Sequence, residues 1–438
     1  MRPGARTRSP SGVLAGVASV GSGVLGAGVF TYLFLSLAGR VLGPAAFAPI
    51  STLWAMVFIV GPGLFLPVQQ ELGRVIAGQR LERGGRHAVT KVALLAGGLS
   101  LATMAGTVAV GPWIIRELFN GNAALLWCFE GSVLSYALTF MVRGVLSGLG
   151  EFTSFGRLVA IEALARLVVG AGLALVGARS VTAFGIAIVA APILSTAIVT
   201  RLGARVRLDP GTPVSWREVT RALGWLVVGS TLAQFLANAG PLAVQLLATN
   251  AEASEAGRFL SALVVARLGL YLFQAVQATL LPNVAELVAK GRVAELDRVI
   301  RKVTAICLAL AAATTVGAFV LGAVAVRVLF GSGFAISGPT MAMLAGASSI
   351  YVLAMALSGV AIASAGHRLS ALSWLAGCCA FVLGTALSGD LFLRVEIGYL
   401  LGSCAAAGVL LVGLPLHLRR AHVETGVELE EASPPGAF

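Results

Sequence analysis

The sequence predicts an all-α polytopic membrane protein: twelve transmembrane helices in two six-helix lobes. Three observations predict it. Hydrophobic residues fill 58% of 438 positions and charged residues only 11%, against roughly half and a quarter in a soluble globular chain. Apolar runs of about twenty residues recur along the whole length, each long enough to cross a hydrocarbon core about 30 Å thick as a helix. Finally, the chain echoes itself. Leu66-Pro67, three residues, then Glu71-Leu72 recurs as Leu281-Pro282, three residues, then Glu286-Leu287, each at the end of an apolar run and before a basic loop.

In chain order, residues 1–11 form a polar, basic N-terminal segment, with an uncleaved first helix after it. The N-lobe, residues 12–200, holds spans one to six near 12–38, 45–66, 92–115, 123–149, 158–178 and 181–200. The loop from Glu71 to Lys91 carries a surface-helix pattern, with Leu72, Val75 and Ile76 on one side and Arg74, Arg80, Arg83 and Arg86 largely on the other. Residues 201–221 contain Pro210, Gly211, Pro213 and five arginines and read as a linker. The C-lobe, residues 222–418, holds spans seven to twelve near 222–247, 259–281, 303–326, 339–365, 371–389 and 396–418, and residues 419–438 form a tail. Pro62, Pro192 and Pro241 fall inside spans, which a bilayer tolerates when neighbouring helices satisfy the freed carbonyls.

A net charge of +12 is the signature of either a nucleic-acid partner or a membrane topology, and the placement of the charges decides for topology. Of 31 lysines and arginines, 22 fall on the side of the N-terminus, six on the other side, and Arg143, Arg166 and Arg267 within spans. By the positive-inside rule both termini are cytoplasmic, and no nucleic-acid partner is implied. Reporters at Arg83 and Gly211 are then expected to be cytoplasmic and one at Asn250 external. The five cysteines lie within spans and read as packing residues, without a disulfide framework or metal spacing. The four histidines lie in or beside loops, no P-loop is present, and Gly23, Gly26 and Gly28 read as helix-packing positions. The expectation is therefore a non-enzyme with no metal and no cofactor.

The two halves match beyond the Leu-Pro echo. Arg116-Glu117-Leu118-Phe119 corresponds to Arg327-Val328-Leu329-Phe330 at an offset of 211, Gly144-Val145 to Gly359-Val360 at 215, and Gly150 to Gly366 at 216. Six helices per half give both halves the same orientation, with a substrate path between them near the midplane.

This duplicated layout, with Val41-Leu42-Gly43-Pro44 and Phe47 before span two and Leu118-Phe119 and Leu329-Phe330 at the outer ends of spans three and nine, resembles the multidrug/oligosaccharidyl-lipid/polysaccharide exporter superfamily. Within it, the chain is most similar to the polysaccharide transporters that flip lipid-linked oligosaccharides. The resemblance covers about residues 12–418. It implies a MATE-like, V-shaped pair of lobes around a central cavity, working by alternating access in a bacterial cytoplasmic membrane. The implied partners are a lipid-linked oligosaccharide, membrane lipids, and polysaccharide polymerase and glycosyltransferases of the same pathway. Drug antiporters of the superfamily often couple to ions through a carboxylate on the first helix, and Gly12 to Ala38 contains no acid. Peptidoglycan-precursor flippases usually carry two more helices and charges in the first span. An ion-coupled small-molecule antiporter and a peptidoglycan-precursor flippase are the alternatives.

An ionisable side chain at membrane depth costs about 3 kcal/mol or more, so it normally faces a cavity or a partner. Arg267 in span eight is the leading substrate candidate, with Tyr271, Gln274 and Gln277 near its helix face and Gln234, Asn238 and Gln245 sharing a face of span seven. A guanidinium suits phosphate because its planar fork donates two parallel hydrogen bonds; the amides suit sugar hydroxyls. The competing reading is interhelical bonding alone. Glu162 and Arg166, four residues apart near the cytoplasmic end of span five, read as an ion pair with a lesser claim to phosphate or coupling. Glu130 is the deepest acid of the first half and a candidate for ion coupling, or else a protonated carboxyl in packing. Arg143 is expected to snorkel to the cytoplasmic interface.

Overall fold

The computed structural model describes residues 10–78, 86–202, 215–220, 223–267, 293–387 and 389–431. Among these, ten helices are long and apolar enough to cross a membrane, the first holding two spans. The continuous helical stretch Pro10–Gly78 breaks at Gly43, whose φ of 76° and ψ of 167° only glycine adopts readily. It gives α1 (10–42) and α2 (44–78), with Pro44 at the first position of α2, where its missing N–H costs nothing. There follow α3 (Arg86–Ala109), α4 (Gly111–Glu117), α5 (Ala123–Leu149), α6 (Phe152–Leu175), α7 (Val181–Arg201), α8 (Trp216–Thr220), α9 (Leu223–Leu247), α10 (Glu255–Ala266), α11 (Val293–Gly317), α12 (Ala323–Phe330), α13 (Gly338–Ala363), α14 (His367–Thr385) and α15 (Leu391–Glu431).

The helix ends correct the expected spans at four places. Span two does not exit at Leu66, because α2 runs through Pro67 to Gly78 with Leu72, Val75 and Ile76 buried. The part of the surface-helix pattern up to Gly78 is thus the end of a spanning helix, and Arg80 and Arg83 lie outside the described residues. Span three is interrupted at Val110, where Pro112 opens α4. Span five starts at Phe152 rather than near 158. Span nine contains a π-helical turn, Ala318–Gly322, between α11 and α12. Of span eight only the part up to Arg267 is described, so Tyr271, Gln274, Gln277 and the second Leu-Pro echo lie outside the described residues.

The chain divides into two compact units. The first comprises Met1–Gln234, Pro241–Ser261 and Val326–Ala335; the second comprises Phe235–Gly240, Ala262–Ala325 and Ile336–Phe438. In the first, α1 and α2 pack on α5 and α6. Glycines set how close these helices come: a Cβ at Gly144 would sit 2.9 Å from the Gln69 carbonyl oxygen, and one at Gly23 would collide with the Gly156 backbone. Gly43-Pro44 and Phe47 are held in the same unit, where Phe47 stacks edge-on to Phe334 at 5.8 Å and a Cβ on Gly257 would lie 2.6 Å from the Pro44 carbonyl oxygen.

Corresponding helices pack in the same pairs within each unit. In the first, α3 meets α5, α5 meets α7 and α6 meets α7; in the second, α11 meets α13, α13 meets α15 and α14 meets α15. The turn after the fourth helix also repeats, with a shift. Gly150 takes the left-handed conformation after α5 (φ 68°), whereas after α13 it is Ala365 (φ 62°), not Gly366. The structural offset is therefore 215 for both glycines of the first half.

Candidate functional site

Arg267 is placed by the end of α10, where its amide still donates to Leu263 O at 3.1 Å. Its guanidinium donates to the carbonyl of Ala237 on α9, to the Tyr399 hydroxyl at 3.3 Å, and lies 3.5 Å from Asn238 Oδ1. The Ala237 carbonyl is open to it because Pro241, four residues on, has no N–H to close that helical bond. Pro241, whose freed carbonyl is expected to be satisfied by a neighbouring helix, thus creates the acceptor that fixes the cation.

Around this cation, α13, α14 and α15 supply an aromatic and hydroxyl surface. Arg267 lies 5.6 Å from the Tyr399 ring centroid, a cation–π distance. The Tyr399 hydroxyl donates to Ser348 Oγ at 3.4 Å, Tyr351 is 6.5 Å from Tyr399, and Trp374 is 5.2 Å from Tyr351. No carboxylate forms an ion pair with Arg267 among the described residues. The arrangement offers a cation, an amide, hydroxyls and aromatic faces without a paired anion among the described residues. Asn238 belongs to this group, as its shared depth requires. Gln234 lies one turn earlier on α9, half-buried and in the first unit. Gln245 does not join the group: its amide donates to Asn120 Oδ1 at 2.9 Å and to Glu117 O at 3.2 Å.

The first unit holds a second cationic group, on α2, α5 and α6, with Arg166 buried. Glu162 receives Arg166 Nη2 on Oε1 at 3.1 Å and Arg143 Nη2 on Oε2 at 2.5 Å. Arg166 also donates to the Tyr136 hydroxyl at 3.1 Å and lies 5.3 Å from the Trp54 ring; Arg143 lies 4.9 Å from that of Phe140. Two expectations change. Because α6 begins at Phe152, Arg166 sits at mid-helix, not near a cytoplasmic end. Arg143 does not snorkel away, because Glu162 reaches it across one helix interface. The aromatic members were missed in the sequence. The offset of 215 that pairs Gly144 with Gly359 also carries Tyr136 onto Tyr351, both buried, and that signal was available.

Among the described residues two further buried carboxylates, Glu130 and Glu396, each keep one oxygen without a partner. Glu130 on α5 accepts from Thr107 Oγ1 on α3 at 2.5 Å and leaves Oε2 without a partner. Glu396 stands at the expected start of span twelve. With α15 starting at Leu391, it is buried more than a turn inside, one oxygen unpartnered, beside a cavity of about 640 Å³ lined also by Thr340, Gly346 and Asp390. Among the described residues no group of histidines, cysteines and carboxylates is suited to hold a metal ion.

No family model matches the sequence. Two uncharacterized proteins of Mycobacterium tuberculosis are similar: Rv3630, 24% identical over 410 residues covering 91% of each chain, and Rv1510, 24% identical over 425 residues covering 94% of this chain and 93% of the other. Among solved structures, the inward-facing conformation of a multidrug resistance MATE family transporter of the MOP superfamily has a TM-score of 0.69 at 14% identity, covering 93% of this chain and 96% of that one. The outward-facing conformation of such a transporter has a TM-score of 0.65 at 14% identity, covering 95% and 97%. The chain is a multi-pass, all-helical membrane protein with the MATE-like transporter fold.

Proposed function

We propose that the protein is a flippase that moves a polyprenyl-pyrophosphate-linked oligosaccharide across the bacterial cytoplasmic membrane by alternating access. Both termini are cytoplasmic in this reading. The observation that carries it is Arg267, a half-buried guanidinium with no carboxylate partner among the described residues, set beside Asn238, Tyr399 and Ser348. A cation kept in the membrane without an anion of its own is suited to a phosphate that arrives with the substrate. Amide and hydroxyl groups and the faces of Tyr351, Tyr399 and Trp374 suit the polar edges and flat faces of sugars. The fold supports an exporter in which the prenyl tail stays in lipid while the head passes through protein.

The test is translocation of a labelled polyprenyl-pyrophosphate oligosaccharide in proteoliposomes. Arg267→Ala is expected to slow it at least tenfold, with partial recovery in Arg267→Lys, since a lysine restores the charge but not the fork. Normal translocation by Arg267→Ala at equal protein level would overturn the assignment.

A second reading, an ion-coupled small-molecule antiporter, is favoured by the unpartnered oxygens of Glu130 and Glu396 and by the multidrug transporters that share the fold. Under it, proton- or sodium-driven uptake of an organic cation into inverted vesicles is measurable, and Glu130→Gln or Glu396→Gln abolishes it while glycolipid movement is absent.

A further inference from the structure

The Arg143, Glu162 and Arg166 group carries an excess charge that no carboxylate among the described residues neutralises. Two guanidinium groups share one carboxylate, each through a single Nη2. Arg166 is 1% exposed and lies midway along α6, while Tyr136 lies midway along α5, so the surplus positive charge sits near the centre of both spans. The remaining fork positions point to what is missing. Arg143 Nε and Arg166 Nε are both buried and without a hydrogen-bond partner. In a low-dielectric interior an unpaired charge and unsatisfied donors are each costly, and here they coincide. Arg143, with its side chain 13% exposed, is the accessible end of the group.

We propose that this group is a phosphate-binding site, in which one phosphate oxyanion bridges Arg143 and Arg166 and Glu162 holds the two forks in place while the site is empty. The charge balance favours it: two guanidiniums and one carboxylate leave one positive charge, which a singly charged phosphate or phosphodiester cancels. The geometry favours it too, since a tetrahedral oxyanion offers several acceptors to two forks whose Nε donors are unused. Trp54 and Phe140 lie against the two planar guanidinium groups and help hold them in position. Glu162 is then a competitor as well as a support, because its oxygens occupy the donors a ligand would share. This deepens the flippase reading by giving the first unit its own phosphate contact. Its readout is binding, so each can fail without the other.

The full-length protein in an uncharged detergent is titrated with inorganic phosphate, or with micelles doped with phosphatidylglycerol, following thermal unfolding and heat of binding. Chloride at equal ionic strength and phosphatidylcholine are the controls. The parent is expected to bind at least one phosphate source in preference to its control; a response to phosphatidylglycerol alone assigns the ligand as a lipid headgroup, and a response to inorganic phosphate assigns it as the free group. Glu162→Gln, which removes the competitor, is expected to bind at least tenfold tighter. Arg143→Gln, which leaves a neutral Glu162–Arg166 pair, is expected to lose the response and to unfold no earlier than the parent when phosphate is absent. The proposal is overturned if the parent responds to neither source beyond its control, or if Arg143→Gln keeps the response. A Glu162→Gln protein that folds and binds no tighter also overturns it, and if that variant does not fold, Arg143→Gln decides.

Discussion

At the scale of single residues, the membrane interior makes each polar atom a separate accounting problem. Arg267 donates to a carbonyl that Pro241 leaves open, and Glu130 accepts from one donor, Thr107, on one of its two oxygens. Removing the donor isolates the carboxyl. Thr107→Val is expected to destabilise the purified protein by about 1–2 kcal/mol, because the buried acceptor loses its partner, and Thr107→Ser to restore it. Equal melting temperatures for the parent and Thr107→Val would show that Glu130 finds another donor. Legibility from the sequence differed among these residues. That Arg267, Arg166 and Glu130 need partners followed from their depth alone. Which partners they have did not: Arg166 meets Tyr136 thirty positions away and Arg267 meets Tyr399 across 132, distances over which a linear pattern gives no helix rotation.

At the scale of elements, backbone geometry explains motifs that carry no chemistry. Val41-Leu42-Gly43-Pro44 is a break between two helices, with glycine in a conformation closed to other residues. Gly43→Ala is expected to cost about 1–3 kcal/mol for that strain. The turn after α13 predicts the opposite sign. Ala365 holds a left-handed conformation at the position where Gly150 stands in the first half, so Ala365→Gly is expected to stabilise by about 1 kcal/mol, as glycine adopts this conformation without a steric cost. Thermal unfolding of the two variants beside the parent checks both signs. The helix ends were less legible than the helices, since Pro67 and Arg74 look like an exit in sequence. In the structure α2 continues, with Arg74 bonded to Glu71 through two hydrogen bonds at 2.6 and 2.9 Å.

At the scale of the whole molecule, the topology proposal is tested by cysteine or enzyme reporters. Reporters at Arg83 and Gly211 are expected to be cytoplasmic and one at Asn250 external; any other pattern defeats the arrangement of six and six spans. The sequence by itself determined the membrane-spanning all-helical class, the duplication, and which side chains would be expensive to bury. Hydropathy and charge belong to each segment and are carried by composition. The tertiary structure alone decided that Arg143 joins Glu162 and Arg166, that Gln245 leaves the Arg267 group for Asn120, and that Tyr136 bonds Arg166 while Tyr351 stands behind Tyr399 in the Arg267 group. Partner choice depends on how each helix is rotated about its axis, and that rotation is set by close packing at glycines such as Gly23 and Gly144 against residues far away in the chain.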